Sequence, residues 1–127
     1  MITKILIETT STGPIEAEID HDRNPRTASA LVGVLPIESS ASCWGDEVYF
    51  TTKAAASSED SQEEVEVGEL AFWPPGNAFC IFFGRTPASS GNKPKAASPV
   101  NVFGKITGDP MVFKKVKSGE KITVREG

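Results

Sequence analysis

Pro74-Pro75-Gly76-Asn77-Ala78-Phe79-Cys80-Ile81-Phe82-Phe83-Gly84 is a dense apolar run with turn chemistry at both ends. Pro-Pro-Gly-Asn is a strong turn signal, and the residues from Ala78 to Phe83 carry no charged or amide side chain before Gly84 closes the run. Six residues is strand length. Unbroken apolarity, where a half-wet strand would alternate, predicts a strand buried on both faces. Such a strand belongs in the middle of a structure, with material packed above and below it.

The flanks supply that material. Upstream, Val65 and Val67 alternate with Glu66, Gly68 turns the chain, and Leu70 to Trp73 reads as a short strand. Downstream, Val100 to Ile106 reads as a further strand, after a proline-rich stretch from Arg85 to Pro99 that predicts a long structured loop. The expected core is centred on Phe79, Ile81, Phe83, Val102 and Ile106.

Toward the N-terminus, Ile2 to Glu8 is rich in branched residues, and Ile15, Ala17 and Ile19 alternate with Glu16, Glu18 and Asp20 across a Thr-Ser-Thr-Gly-Pro turn. This predicts an antiparallel hairpin with one wet face. Asn24 followed by Pro25 reads as an N-cap and first helical residue, and Ala28, Leu31, Val32 and Leu35 give one apolar stripe, ended by Pro36. Ile37 to Cys43 is ambiguous between strand and coil, and Glu47 to Thr52 is a strand around Val48, Tyr49 and Phe50. Residues 53–64 are small, polar and acidic without an apolar face, which predicts an exposed, mobile excursion. Pro110 to Val116, capped by Asp109, is expected as a short helix, and Lys121 to Arg125 as the last strand. About eight short strands and two short helices in 127 residues imply a mainly β single domain over 1–127, a sheet closed into a barrel.

The charge balance narrows the function classes. Thirteen basic against 17 acidic residues give a net charge of −4, which argues against a nucleic-acid backbone as partner. The basic run Lys114, Lys115 and Lys117 reads as a solvated helix end. No run approaches the length of a membrane span, and no signal peptide is recognisable, so a cytoplasmic setting without membrane contact is expected. Cys43 and Cys80 read as buried free thiols. One His with two Cys is too few for zinc, so neither a metal nor another cofactor is expected. His21 reads as a solvated turn residue, and Asp46 and Glu47, adjacent on a strand, point to opposite faces.

Two segments, Gly76-Asn77-Ala78-Phe79-Cys80-Ile81 and Val102-Phe103-Gly104-Lys105-Ile106, resemble the paired strands of cyclophilins. Gly13-Pro14-Ile15-Glu16 and Pro25-Arg26-Thr27 resemble the cyclophilin start. The blocks Trp44 to Phe50, Gly68 to Asn77 and Phe82 to Pro87 are similar to the short prokaryotic cyclophilin-like proteins, a group of uncertain function. The resemblance implies a cyclophilin-like barrel with an apolar groove near Phe79, Trp44, Phe103 and Arg85, able to take a proline-containing peptide or a small ligand.

The family's chemistry is peptidyl-prolyl isomerisation, in which a guanidinium beside an apolar seat donates to the imide nitrogen. The matching stretch, Ile37 to Trp44, has no Arg, Lys or Gln; Cys43 stands near the family's Gln, and Ser98, Pro99 and Val100 stand where its His precedes the second strand. Only the aromatic wall, through Phe79, carries over. The resemblance therefore implies a binding groove with little or no catalysis, the alternative being an atypical isomerase with Arg85 as its catalytic cation.

Overall fold

The alternating N-terminal runs pair as expected. In the computed structural model, which describes residues 1–127, β1 (Ile2–Thr9) and β2 (Gly13–Asp20) form an antiparallel hairpin with Ile7 opposite Ile15 and Ile5 opposite Ala17. One face of this hairpin buries Ile5, Ile7, Ala17 and Ile19, while its glutamates stay wet. Helix α1 (Pro25–Val32) follows and lays Ala28 and Leu31 on the same core. The remaining strands are β3 (Ile37–Ser40), β4 (Ser42–Cys43), β5 (Glu47–Thr51), β6 (Gln62–Glu64), β7 (Glu69–Trp73), β8 (Ala78–Phe82), β9 (Lys95–Ile106) and β10 (Lys121–Glu126). Short 3₁₀ turns stand at Pro74–Gly76 and Pro110–Lys115, the second capped by the Asp109 carboxylate on the Met111 N–H at 3.0 Å.

The structure is mainly β, but the expected closed barrel of eight strands is corrected to a curled, open sheet of ten. Nine strands run in the order β3-β10-β1-β2-β9-β7-β8-β5-β4, and β6 pairs separately with β9. The two ends of that path, β3 and β4, are consecutive in sequence and share no ladder. The chain itself bridges the gap at Ala41, whose N–H donates to the Glu120 carbonyl and whose carbonyl accepts from Gly119 N–H, both at 2.8 Å. β3 and β4 are joined by Ala41 alone, which leaves no turn across which they could pair, so covalent continuity substitutes for hydrogen-bonded closure. No helix is long and apolar enough to cross a membrane.

β8 is buried on both faces, as its unbroken apolarity requires. Its alternate residues enter two separate clusters. Phe79 and Ile81, with Phe83 just beyond, join the inner core with Phe50, Leu70, Phe72, Phe103 and the hairpin residues; Ala78, Cys80 and Phe82 join a smaller outer cluster with Val65, Ala71, Ala96, Val100 and Val102. Val102, expected in the main core, is thus on the other side. β9 carries a bulge against β7: Leu70 pairs with Gly104 and Ala71 with Val102, leaving Phe103 as the extra residue. Gly104 lies opposite Ile19, where any Cβ would strike the Glu18 carbonyl, so only glycine lets β2 and β9 approach.

Three further expectations change. The loop after Phe83 ends at Pro94, because Lys95 to Pro99 already belong to β9. Cys43 is exposed and only Cys80 is buried, both as free thiols. The acidic stretch 53–64 is exposed only in part: Ala54 is buried in the inner core, and Ser57 to Asp60 are tied to α1 and β9 by hydrogen bonds.

Candidate functional site

Period-two alternation puts Val48 and Phe50 of β5 into the core and Glu47 and Tyr49 on the outer face. Tyr49 lies opposite Cys80 on β8, and Cys80 lies opposite Ala71 on β7. Two strand positions from Ala71, Trp73 stands on the same face. The first half of β9 then lays Ala96, Ala97 and Val100 along one edge. Small residues at Ala71, Ala78, Cys80 and Ala96 do not fill this face, and a cleft of about 250 Å³ is left between Trp44, Glu47, Tyr49, Trp73, Cys80, Ala96, Ala97 and Val100. Seven of the eight are hydrophobic; Glu47 is the exception.

The turn from Trp44 to Glu47 places two of the residues that line this cleft. Trp44 N–H donates to the Glu47 carbonyl at 2.9 Å, closing the β4–β5 hairpin. Gly45 takes φ +61° at its tip, and a Cβ there would come within 2.8 Å of the Pro87 ring and 2.9 Å of Thr86 Cα. The Asp46 N–H donates to the Arg85 carbonyl and Phe83 N–H to the Asp46 carbonyl, both at 2.9 Å, which locks the turn to the end of the β8 run. Trp73 is fixed differently: its indole N–H donates to Ser98 Oγ at 2.7 Å.

Glu47 is the chemically unusual group. It is 6 % exposed and forms no ion pair. Loss of solvent raises its carboxyl to about 7, and the neighbouring Cys80 thiol offsets part of that rise. Burial, and next the Glu47 charge, push the Cys80 thiol well above its ordinary value, so it stays protonated and is no nucleophile near neutrality. At neutral pH the cleft therefore holds a carboxyl poised between its acid and its anion, in apolar surroundings.

The residues expected to form one groove are separated by the fold. Phe79 and Phe103 are fully buried in the inner core, with Phe79 stacked on Phe50 at 4.8 Å between ring centroids and edge-on to Phe103 at 5.1 Å. They support the sheet from beneath and reach no surface. Arg85 is exposed and turns its guanidinium to the Ser89 carbonyl of its own loop at 3.5 Å, away from the cleft. Of the four, only Trp44 lines the cleft. Glu47, Tyr49 and Trp73 complete it and were not among the expected binding residues. The signal for Glu47 lay in Glu47-Val48-Tyr49-Phe50: an acid in register with Tyr49, on a strand paired to β8, which has no wet face.

A family model described as cyclophilin-like matches residues 3–125. A hypothetical protein from Archaeoglobus fulgidus, solved in solution, superimposes with a TM-score of 0.83 at 41% identity, over 98% of this chain and 95% of that one. No curated protein matches. Both matches agree with the resemblance to short prokaryotic cyclophilin-like proteins.

Proposed function

The chain belongs to the cyclophilin-like family, and on that premise we propose that it is a binding protein, taking a small ligand or a peptide side chain in the Trp44–Tyr49–Trp73 cleft without prolyl isomerase activity. The observation that carries this reading is the polarity of the cleft. Its one ionisable charge-bearing group of consequence is the Glu47 carboxyl, and no Lys, Arg or His lines it. Rotation about an X–Pro bond faces a barrier of about 18–20 kcal/mol. Lowering it requires a donor at the imide nitrogen in the twisted state, because binding ground and transition states equally leaves the rate unchanged. An apolar wall with an acidic floor offers grip without that differential. Two unpaired thiols support a reducing, cytoplasmic setting.

Exchange NMR on an Ala-Pro peptide, read together with the protein's own amide shifts, tests the proposal. The expected result is no catalysed exchange, with ligand shifts confined to Trp44, Tyr49 and the Trp73 indole N–H. Catalysed rotation that fades as pH rises through 7 and is abolished in Glu47→Gln would instead make the protonated acid an isomerase donor and overturn the reading.

A further inference from the structure

A buried carboxyl is ordinarily paired, because an anion without partners in apolar surroundings is strongly disfavoured. Even the partly buried carboxyls of this molecule are held: Glu69 is paired with Arg23 at 2.6 Å, and Glu59 accepts from two backbone N–H groups and the Thr27 hydroxyl. Glu47 is the one buried carboxyl, and no ion pair, backbone N–H or hydroxyl holds it, the neighbouring Cys80 thiol donating to the Ala78 carbonyl. No side-chain oxygen fully sealed from solvent lacks a partner, so the Glu47 carboxyl keeps some access, and it lines the cleft.

The walls around it are of one kind. Trp44, Tyr49 and Trp73 bring three aromatic rings, whose electron-rich faces attract cations. The Trp73 N–H is already committed to Ser98, so that indole has no donor left for an anion. Cys80, Ala96, Ala97 and Val100 give an apolar lining that suits a hydrocarbon stem. We infer that the cleft recognises a protonated amine on an apolar stem, the ammonium group meeting the Glu47 carboxylate among the three rings. This inference rests on the binding reading above and names the ligand's chemistry within it. The same head group could come from a free organic amine or from a lysine side chain of a peptide.

Binding then carries a pH signature. Around Glu47, β8 contributes the Cys80 thiol and β5 the Tyr49 phenol; β7 and the Ala96–Val100 part of β9 contribute no titratable group to the cleft. The Asp46 carboxylate lies instead against Gly84. Glu47, at about 7, goes from mostly protonated at pH 6 to mostly ionised at pH 8, while an alkylammonium stays charged at both.

The test is titration of wild type and Glu47→Gln with benzylammonium, with benzyl alcohol as the neutral analogue, and with an end-blocked Gly-Lys-Gly peptide. Amide shifts and calorimetry would be read at pH 6 and pH 8. In wild type, benzylammonium is expected to bind at least about tenfold more tightly than benzyl alcohol, and about tenfold more tightly at pH 8 than at pH 6. Glu47→Gln, with its fold verified by an unchanged amide spectrum outside the cleft, is expected to lose the pH dependence and most of the preference for the cation, keeping the weak, pH-independent attraction of the rings. Lysine peptide binding with the same signature assigns the head group to a peptide, and binding of benzylammonium alone assigns it to a free amine. Equal binding of alcohol and ammonium in both proteins overturns the cation inference and leaves the binding reading standing. No binding of any probe overturns both.

Discussion

The two faces of β8 are made from one strand and end in opposite states. On the inner face Phe79 and Ile81 join Phe50, Phe72 and Phe103 and are fully buried; on the outer face Ala78 and Cys80 join Ala71, Ala96 and Val100, beside a cleft. Both faces are apolar, so hydrophobicity does not separate them. Side-chain volume beside the cleft does, Phe82 packing only the far end of the outer face. Large residues on the inner face interlock with the hairpin and α1, whereas small residues on the outer face hold Trp44, Tyr49 and Trp73 apart at the rim. One face is spent on stability, and the other keeps an open, acid-bearing site.

That contrast breaks most visibly on substitution of neighbouring residues. Phe79→Ala empties a fully buried ring position between Phe50 and Phe103, and such truncations cost about 3–5 kcal/mol. That is much of the stability of a domain this small. Cys80→Ala, the next residue but on the outer face, is expected to cost about 1 kcal/mol, since it enlarges an existing space. Urea unfolding of the two variants checks the pair. Equal losses would mean that the outer face is packed as tightly as the inner one.

The next effect concerns Glu47. Its folded value of about 7 lies above the ordinary 4.5, so the folded protein retains a proton that the unfolded chain gives up between those values. The stability this confers is complete below about pH 4.5 and is lost as pH rises through 7. Glu47→Gln removes that slope. Relative to wild type, the variant is expected to gain on the order of 3 kcal/mol between pH 4 and pH 8. Parallel pH profiles of the two proteins in urea unfolding would place Glu47 in a solvated setting and erase the distinction between the faces.

How much of this was legible follows from what each residue's environment depends on. The two-faced burial of β8 and the hairpin were readable because run length and alternation are local. The parity of an aromatic was not: Phe103 and Val102 differ by one position and therefore by a whole face, and the bulge beside them sets which is which. For Phe79 and Phe103 the resemblance located the strands correctly but implied a groove wall, whereas both rings enter the inner core. Glu47 was judged against its neighbour Asp46, but the cleft it lines is completed by Trp73, Ala96, Ala97 and Val100, which come from far along the chain. Lys95 to Pro99 read as loop because Pro94, Ser98 and Pro99 are turn-formers, yet β6 pairs with this stretch and extends β9. Asn24 was legible as a helix start but not in its bonding.

Asn24 leads to the smallest expected effect, which sharpens the account of the inner face. It takes φ 49° and makes no side-chain cap bond; its amide donates to the Val102 carbonyl at 2.7 Å and accepts from Asp60 N–H at 2.7 Å. The cap comes from the acidic stretch instead. The Glu59 carboxylate accepts from Arg26 N–H and Thr27 N–H, each at 3.2 Å, and from the Thr27 hydroxyl at 3.0 Å. The buried Asn101 amide ties Thr27 to the Ser57 carbonyl and accepts from Glu59 N–H at 3.0 Å. Partial burial would raise the Glu59 carboxyl, but the two N–H groups, the hydroxyl and the Arg26 charge together hold it below its ordinary value. Its folded value is lowered, so its stabilisation is present above the usual carboxylate range and lost as pH falls below 4.5. Glu59→Ala removes a cap and is expected to cost about 1 kcal/mol near neutrality, shrinking in acid. Amide exchange of Arg26 and Thr27 should quicken, while ligand shifts at Trp44 and Trp73 stay as in wild type. Unchanged exchange at Arg26 and Thr27 would show that residues 53–64 do no more than pass over the helix, and a changed cleft would show that the two faces are not independent.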